Sequence, residues 1–405
     1  MRDPRRIARL LVAAAILAAA PPARASILAG LDVLEREDFA PLAGKRVGLI
    51  TNQTARDGGG HSAIDVLFAS KRLRLVALFS PEHGIRGGAP AGGDVGDSID
   101  PATGLTVYSL YGETRRPTAA MLKDVDVLVF DIQDVGARFY TYLTTMAYGM
   151  EEAAKRGIEF VVLDRPNPIS GDIVEGPVPD GPPVFTGYFP VPIRHGLTPG
   201  EMARLHAALK VPGLKLTVVP MVGWNRAMDY DDTGYPWVDP SPNIRDLDAA
   251  TLYPALGLFE ATGISVGRGT DGPFHWFGAP WLDSAALAAR LNAAGLAGAR
   301  FIAEDRVPRE DIYKGRVCHG IRVEILDRRG IRPLEIFVAA VCALRDSGAR
   351  EFVAEAAAQV STRGPERSLF DEVFSSRKRP AEILADFAAR RADYESSRSR
   401  YFLYR

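Results

Sequence analysis

The chain has 405 residues, is 47% hydrophobic and 24% charged, and carries a formal net charge of −1 at pH 7. These proportions are ordinary for a globular protein and exclude a disordered chain and a long coiled coil. The near-neutral charge argues against a nucleic-acid partner, because such proteins present a basic surface. The length predicts two or three domains.

The first 25 residues have the pattern of an export signal. Arginines at 2, 5, 6 and 9 precede an uncharged apolar run over 10–20, and Ala23-Arg24-Ala25 supplies small residues for cleavage. The apolar run is too short to span a bilayer, which needs about 20 residues. We therefore expect a signal peptide over 1–25 and an exported protein, periplasmic or secreted, with no stable membrane span.

Short apolar runs alternate with helical patterns in the next part of the chain. The predicted strands are 45–52, 73–80, 105–110, 125–130 and 160–163, with helices at 61–70 and 139–156. Near-continuous apolar strands separated by helices indicate a parallel sheet covered on both faces. The pattern therefore predicts a doubly wound α/β domain over 26–248.

Polar side chains follow these strands at the points where the strands end. They are Asn52, Glu82, His83, Asp131, Gln133, Asp134, Asp164, Arg165 and Asn167. Ligands of open parallel sheets bind in the crevice at the carboxyl ends of the strands. We therefore expect these carboxylates, amides and cations to form one site at that edge of the sheet.

The chain continues with Thr198-Pro199-Gly200-Glu201, a capping box that opens a helix, and a strand at 214–221. The irregular stretch at 223–245 combines aromatic residues with amides such as Asn243, which suits a sugar ligand. Residues 249–405 are predicted to form a smaller α+β domain, with helices at 283–295 and 380–391 and a strand at 316–326.

Several motifs suggest other chemistries. Residues 267–272 match the dinucleotide pattern G-x-G-x-x-G, and Ser265 lies in a G-x-S-x-G pattern, but neither is followed by the helix that these motifs require. A metal could be held by Glu82, His83, Asp131 and Asp164, although no metal-ligand spacing supports this, so no metal is predicted. Whether Cys318 and Cys342 form a disulfide stays open.

Glu82 is the strongest candidate for a catalytic group. Pro81 stiffens the chain before it and Gly84 permits a sharp turn after it. A carboxyl held in a partly dry crevice can act as the general acid of glycoside cleavage. The second group of such a reaction would be Asp131, Asp134, Asp164 or a 2-acetamido group of the substrate.

Long motifs across the chain resemble the exo-β-N-acetylmuramidase family, the NamZ-like glycoside hydrolases. The motifs lie at 47–54, 80–84, 131–142, 164–168, 192–198, 240–243, 267–270 and 277–281. The resemblance implies a Rossmann-like catalytic domain and a smaller C-terminal domain that closes the cleft. It also implies release of N-acetylmuramic acid from the non-reducing end of peptidoglycan fragments, without a cofactor.

The resemblance extends the list of site residues. The predicted catalytic residues are Glu82, Asp131 and Asp164. The predicted substrate-binding residues are Asn52, His83, Gln133, Asp134, Arg138, Tyr140, Tyr142, Arg165, Asn167, Arg194, His195, Asn243 and Arg268. We expect Arg138 and Arg194 to bind the lactyl carboxylate of muramic acid, because guanidinium groups bind carboxylates in a fork. The alternatives are a non-catalytic muropeptide-binding protein and a serine esterase that uses Ser265.

Overall fold

The computed structural model describes residues 27–90, 92–93, 96–349, 351–352 and 367–405. The predicted signal peptide at 1–25 lies outside the described residues. Within the described chain, the larger sheet has seven strands in the order β3-β4-β2-β1-β5-β6-β7. The strands are β1 Arg46–Thr51, β2 Arg74–Ser80, β3 Ser98–Ile99, β4 Thr106–Ser109, β5 Val127–Asp131, β6 Glu159–Leu163 and β7 Leu216–Val219.

The pairing of these strands determines where a ligand site can form. Every pair in the larger sheet is parallel except β3 with β4. The strand order reverses between β1 and β5, which run side by side from Val47 opposite Val127 to Thr51 opposite Asp131. This reversal is the point at which open α/β sheets bind ligands. The sheet confirms the predicted Rossmann-like doubly wound fold.

Helices cover both faces of the larger sheet. They are α1 Gly30–Arg36, α2 Ala63–Ala69, α3 Tyr142–Arg156 and α4 Pro199–Lys210, and the loops include 3-10 turns at Ala40–Leu42 and Tyr230–Thr233. Side chains of a strand alternate between faces. Accordingly, Val127 and Val129 of β5 pack with α1 and α2, whereas Leu128 and Phe130 pack with α3 and α4.

The second part of the chain forms a smaller α+β unit, as predicted. Its antiparallel sheet has the order β8-β10-β9. Its elements are α5 Leu247–Phe259, β8 Trp276–Ala279, α6 Ser284–Ala293, β9 Ala299–Arg306, β10 Cys318–Ile325, α7 Pro333–Asp346, α8 Arg367–Phe370 and α9 Pro380–Ser397. The expected helices near 283 and 380 and the strand near 316 are present. Helix α5 and strands β8 and β9 were not predicted from the sequence.

The C-terminal residues return to the first unit. The Tyr394 hydroxyl donates to the His195 carbonyl at 2.6 Å, and the Tyr404 hydroxyl donates to Asp164 at 2.5 Å. Residue 248, where we expected the domain boundary, lies in the first turn of α5. Cys318 and Cys342 are both buried free thiols.

Candidate active site

A cavity of about 790 Å³ lies between the carboxyl edge of the larger sheet and the smaller unit. The loop after β2 contributes Gly92, and the loop before α5 contributes Asn243. The smaller unit contributes Glu260, Arg268 and neighbouring residues. The first unit therefore borders the cavity through two loops, one of which starts at the end of β2, where the sequence predicted the site.

Glu82 is fixed at this edge by the conformation of its loop and by two hydrogen bonds. It follows β2 with only Pro81 between them, and the next two residues, His83 and Gly84, have left-handed φ values of 70° and 76°. Its Oε2 accepts from the Thr141 hydroxyl at 2.7 Å, and its Oε1 accepts from the Gly92 N–H at 3.1 Å. Glu82 is half-buried, so its carboxyl is held in one orientation while part of it is open to solvent.

Three buried polar atoms nearby have no hydrogen-bond partner among the described residues: Asn52 Nδ2, Asp134 Oδ1 and the Tyr140 hydroxyl. The opposite atoms of two of these side chains are firmly held. Asn52 Oδ1 accepts from the Thr54 hydroxyl at 2.6 Å, and Asp134 Oδ2 accepts from the Gly136 N–H at 2.7 Å. Buried polar groups are normally hydrogen-bonded, so oriented but unpaired atoms of this kind are typical of a ligand site.

Two buried tyrosines, Tyr142 and Tyr253, lie close enough to Glu82 and Asp134 for these carboxylates to shift their pKa values. Burial raises the pKa of Tyr142, and the carboxylates of Glu82 and Asp134 raise it further. Burial likewise raises the pKa of Tyr253, with contributions from Glu260, Glu82 and Asp134. The Tyr140 ring packs edge-on against both, with centroids 4.8 Å and 5.8 Å apart. The hydroxyls of Tyr142 and Tyr253 therefore remain protonated. Glu82 and Asp134 influence both tyrosines, so these two carboxylates lie in the same part of the protein.

Glu260 is a site residue that sequence reasoning missed. It caps the C-terminal end of α5 and pairs with Arg268. Glu260 lies in the cavity wall, where about 31% of its side chain is exposed and protein atoms cover the rest. Burial raises the pKa of Glu260, opposed by Arg268 and assisted by Asp311 and Glu82. The sequence feature that could have indicated Glu260 is its position as a single carboxylate at the end of an apolar helix.

The carboxylate of Asp131, a predicted catalytic residue, is already paired within the protein. Its side chain is fully buried, and both oxygens accept from Arg165, at 2.5 Å from Nε and 3.0 Å from Nη2. Arg165 therefore engages both carboxylate oxygens, and the catalytic role of Asp131 stays a prediction. Arg165 is occupied as well, since its Nη2 also donates to the Arg56 carbonyl at 3.0 Å, and its substrate contact stays a prediction.

Asp164 is likewise occupied by protein groups, which argues against catalysis. It is fully buried and accepts from the Thr198 hydroxyl at 2.8 Å, the Gly200 N–H at 2.7 Å and the Tyr404 hydroxyl at 2.5 Å. These contacts join the end of β6 to the start of α4 and to the C-terminal segment. We assign Asp164 a structural role.

The two arginines expected to bind a carboxylate of the substrate lie in the protein interior. Arg138 donates to the carbonyls of Pro177 and Val191 at 2.8 Å and 2.5 Å. Arg194 pairs with Glu175 at 2.9 Å. Both guanidinium groups are 3% or less exposed. This burial does not favour contact with a ligand carboxylate, and the role of the two arginines stays a prediction.

Several other predicted binding residues also contact the protein's own backbone. Gln133 donates to the Pro166 carbonyl at 2.7 Å, and Asn167 donates to the Leu197 carbonyl at 3.0 Å. His83 Nδ1 lies 2.7 Å from the Ala89 carbonyl, and Tyr142 donates to the Pro240 carbonyl. His195 Nδ1 accepts from the Leu197 N–H at 3.1 Å. These residues shape the loops around the site.

The alternative motifs do not form the sites that they suggested. Ser265 is buried and pairs through its backbone with Gly278, and no helix begins after it. The glycine-rich turn at 267–272 leads into β8, so it does not open a helix as a dinucleotide site would. Within the described chain, no cluster of three or more His, Cys, Asp or Glu side chains could hold a metal. The helices described include none that is long and apolar enough to cross a membrane.

Comparison with known proteins agrees with the resemblance found in the sequence. Residues 47–248 match the family described as exo-β-N-acetylmuramidase NamZ, N-terminal, and residues 251–404 match its C-terminal counterpart. The chain is 45% identical over 324 residues to the peptidoglycan β-N-acetylmuramidase NamZ of Bacillus subtilis (strain 168), covering 80% of this chain and 78% of that protein.

Two solved structures of DUF1343 family proteins from Bacteroides fragilis NCTC 9343 share the fold. One superimposes with a TM-score of 0.84 at 39% identity, covering 95% of this chain and 100% of its own. The other has a TM-score of 0.73 at 28% identity, covering 94% and 99%. With both halves of the chain matched and the arrangement of the cleft described, the protein belongs to the NamZ exo-β-N-acetylmuramidase family.

Proposed function

We propose that the protein is an exo-acting glycoside hydrolase that releases N-acetylmuramic acid from the non-reducing end of peptidoglycan fragments, with Glu82 as the general acid. The observation that carries this proposal is the placement of Glu82, which is oriented by Thr141 and by Gly92, a residue of the cavity wall. The named activity of the Bacillus subtilis relative supports the substrate class.

Glu82 would protonate the glycosidic oxygen as the bond to the sugar breaks. Because the transition state resembles an oxocarbenium ion, a second group must stabilise the anomeric carbon. Among the three aspartates considered from the sequence, Asp134 is the one with an unpaired oxygen, Oδ1. That oxygen can accept the N–H of the 2-acetamido group and so direct the acetamido carbonyl towards the anomeric carbon.

The first experiment follows the release of free N-acetylmuramic acid from the disaccharide MurNAc-GlcNAc and from longer fragments. An exo-acting enzyme yields the monosaccharide as the first product from both substrates. Glu82→Gln should lower the rate on the disaccharide by about 10²–10⁴-fold, the usual contribution of a general acid. Glu113→Gln, at an exposed position, is the matched control and should leave the rate unchanged.

A nitrophenyl glycoside of N-acetylmuramic acid isolates the role of Glu82. Nitrophenolate leaves without protonation, so Glu82→Gln should lose far less activity on this substrate than on the disaccharide. Equal losses on the two substrates would remove Glu82 from the acid role. Tight binding without product from either substrate would favour the non-catalytic binding protein instead.

We also propose that the protein is exported, on the basis of the N-terminal charge and hydropathy pattern. Peptidoglycan fragments are found on the outer side of the cytoplasmic membrane, which agrees with this location. Sequencing the N-terminus of the protein recovered from the periplasm or medium should give a chain that begins at Ser26. Recovery of the intact chain from the cytoplasm would contradict export.

A further inference from the structure

Among the described residues that line the cavity, Arg268 is the one with a cationic side chain. Its neighbours in that wall include the carboxylates of Glu260, Glu310 and Asp311. The arginines expected from the sequence to meet a carboxylate, Arg138 and Arg194, are both in the interior. An anionic group of a ligand in this cavity therefore has one favourable place, next to Arg268.

The backbone presents Arg268 on a rigid turn. Gly267 and Gly269 flank it with left-handed φ values of 82° and 74°. A Cβ on Gly269 would lie 2.5 Å from the Glu310 backbone nitrogen, so a glycine is required there on steric grounds as well. The chain thus holds the base of the arginine side chain in one place, which reduces the entropy lost when a ligand binds.

Two side chains fix the guanidinium itself. Arg268 lies over the Phe274 ring, with 5.2 Å between the guanidinium carbon and the ring centroid. Its hydrogen bond within the described chain is donated from Nε to Glu260, which leaves the Nη groups available. About 18% of the side chain is exposed. Arg268 is therefore oriented by protein on one side and open on another.

The charge of Glu260 determines how strongly Arg268 attracts an anion. Burial raises the pKa of Glu260, and Asp311 and Glu82 raise it further, while Arg268 opposes the shift. A second carboxylate arriving at Arg268 would add to the repulsion and favour the neutral form of Glu260. A neutral Glu260 still accepts the hydrogen bond from Nε, so it would continue to position Arg268 for the ligand.

We propose that Arg268, positioned by Glu260, binds the lactyl carboxylate of the N-acetylmuramic acid residue and thereby selects this sugar over N-acetylglucosamine. The inference rests on the proposed function for the identity of the sugar. The two sugars differ in the lactyl ether on O3, whose carboxylate is the group that a guanidinium recognises through two parallel hydrogen bonds.

The test compares nitrophenyl β-glycosides of N-acetylmuramic acid and N-acetylglucosamine, which share a leaving group. Arg268→Met should lower kcat/KM about 10–100-fold on the muramic acid glycoside, the usual range for a charged hydrogen bond, and leave the glucosamine glycoside nearly unchanged. Arg268→Lys keeps the charge without the fork and should fall between. Arg300→Met, which removes an exposed arginine paired with Glu324, is the control and should alter neither rate.

A binding measurement separates this inference from the proposed reaction. Calorimetry with free N-acetylmuramic acid should show loss of affinity in Arg268→Met even if no glycoside is turned over, and equal affinity in wild type and variant would overturn the proposal. Equal loss of kcat/KM on both glycosides would also overturn it, since it would give Arg268 a role unrelated to the lactyl group. Thermal unfolding of each variant establishes that the compared proteins are folded.

Discussion

At the scale of single residues, the pairing of Asp131 with Arg165 shows how a polar group at the end of β5 can serve the fold. Asp131 is 0% exposed and its side chain holds the Arg165 guanidinium through two hydrogen bonds. Removing one member of a buried pair leaves the other charge without compensation, which is more costly than losing the pair as a whole.

We therefore expect Asp131→Asn to destabilise the fold by about 3–5 kcal/mol. Denaturant unfolding measures this change. The control is Asp124→Asn, which weakens an exposed ion pair with Arg46 and should leave stability almost unchanged. A variant at 131 that keeps full stability and loses activity would restore the catalytic interpretation.

The ionisation of Glu151 should make the free energy of unfolding depend on pH. Burial alone would raise the pKa of Glu151, but contacts with His206, Tyr188 and Arg116 outweigh burial and lower it to about 2. The folded pKa thus lies below the ordinary value near 4.5. The stabilisation from the ionised group is complete above about pH 4.5 and is lost as the pH falls towards 2.

Glu151→Gln should remove this contribution. The difference in unfolding free energy between wild type and variant should be largest above pH 5 and should shrink as the pH falls to 2. Denaturant titrations at a series of pH values measure it, with Glu113→Gln as the exposed control. A difference that is constant across the series would show that the ionisation of Glu151 is not coupled to folding.

At the scale of elements, the residue that caps α4 also stabilises a neighbouring strand. Thr198 caps the helix, accepting from the Glu201 N–H at 3.2 Å, and Glu201 accepts in return from the Thr198 N–H at 3.1 Å. The predicted capping box is confirmed. The same hydroxyl also donates to buried Asp164 at 2.8 Å, so one side chain stabilises both the helix and the end of β6.

Thr198→Ala should destabilise the protein by about 2 kcal/mol or more, because the loss of a cap costs roughly 1 kcal/mol and a buried acceptor loses its donor as well. Thr198→Ser keeps both hydrogen bonds and should remain close to wild type. Unfolding in urea distinguishes the two variants. Equal stability of the alanine and serine variants would contradict a role for the hydroxyl.

At the scale of the whole molecule, the C-terminal segment holds the two units together. The Tyr404 hydroxyl donates to Asp164 at 2.5 Å and accepts from the Met221 N–H at 2.9 Å. Glu201 accepts from the Leu403 N–H at 2.9 Å. The last residues of the chain therefore take part in the core of the first unit.

Tyr404→Phe keeps the ring against Trp224 and removes both hydrogen bonds of the hydroxyl. We expect a loss of about 1–3 kcal/mol, the cost of leaving buried partners unsatisfied. Tyr401→Phe is the control in the same segment and should change stability by about 0.5 kcal/mol or less. If Tyr404→Phe were as stable as the control, the C-terminal contact would be dispensable for the fold.

The linear pattern of residues determined the sheet, the cap of α4 and the edge at which polar groups gather. Each depends on neighbours in the chain or on a rule shared by all parallel sheets, since the carboxyl ends of such strands meet at one edge. The position of Glu82 at this edge was predicted by the same reasoning, because Pro81 and Gly84 constrain the loop that carries it.

Tertiary packing decided which of those polar groups remain open to a ligand. Asp131 meets Arg165 from 34 residues away, and Asp164 meets Tyr404 from 240 residues away, so no local pattern indicates that either carboxylate is already occupied. Packing also brought Glu260 and Arg268 of the smaller unit to the cavity beside the loop that follows Glu82. Hydrogen bonding and burial depend on groups distant in the chain, and these contacts exist only once the chain has folded.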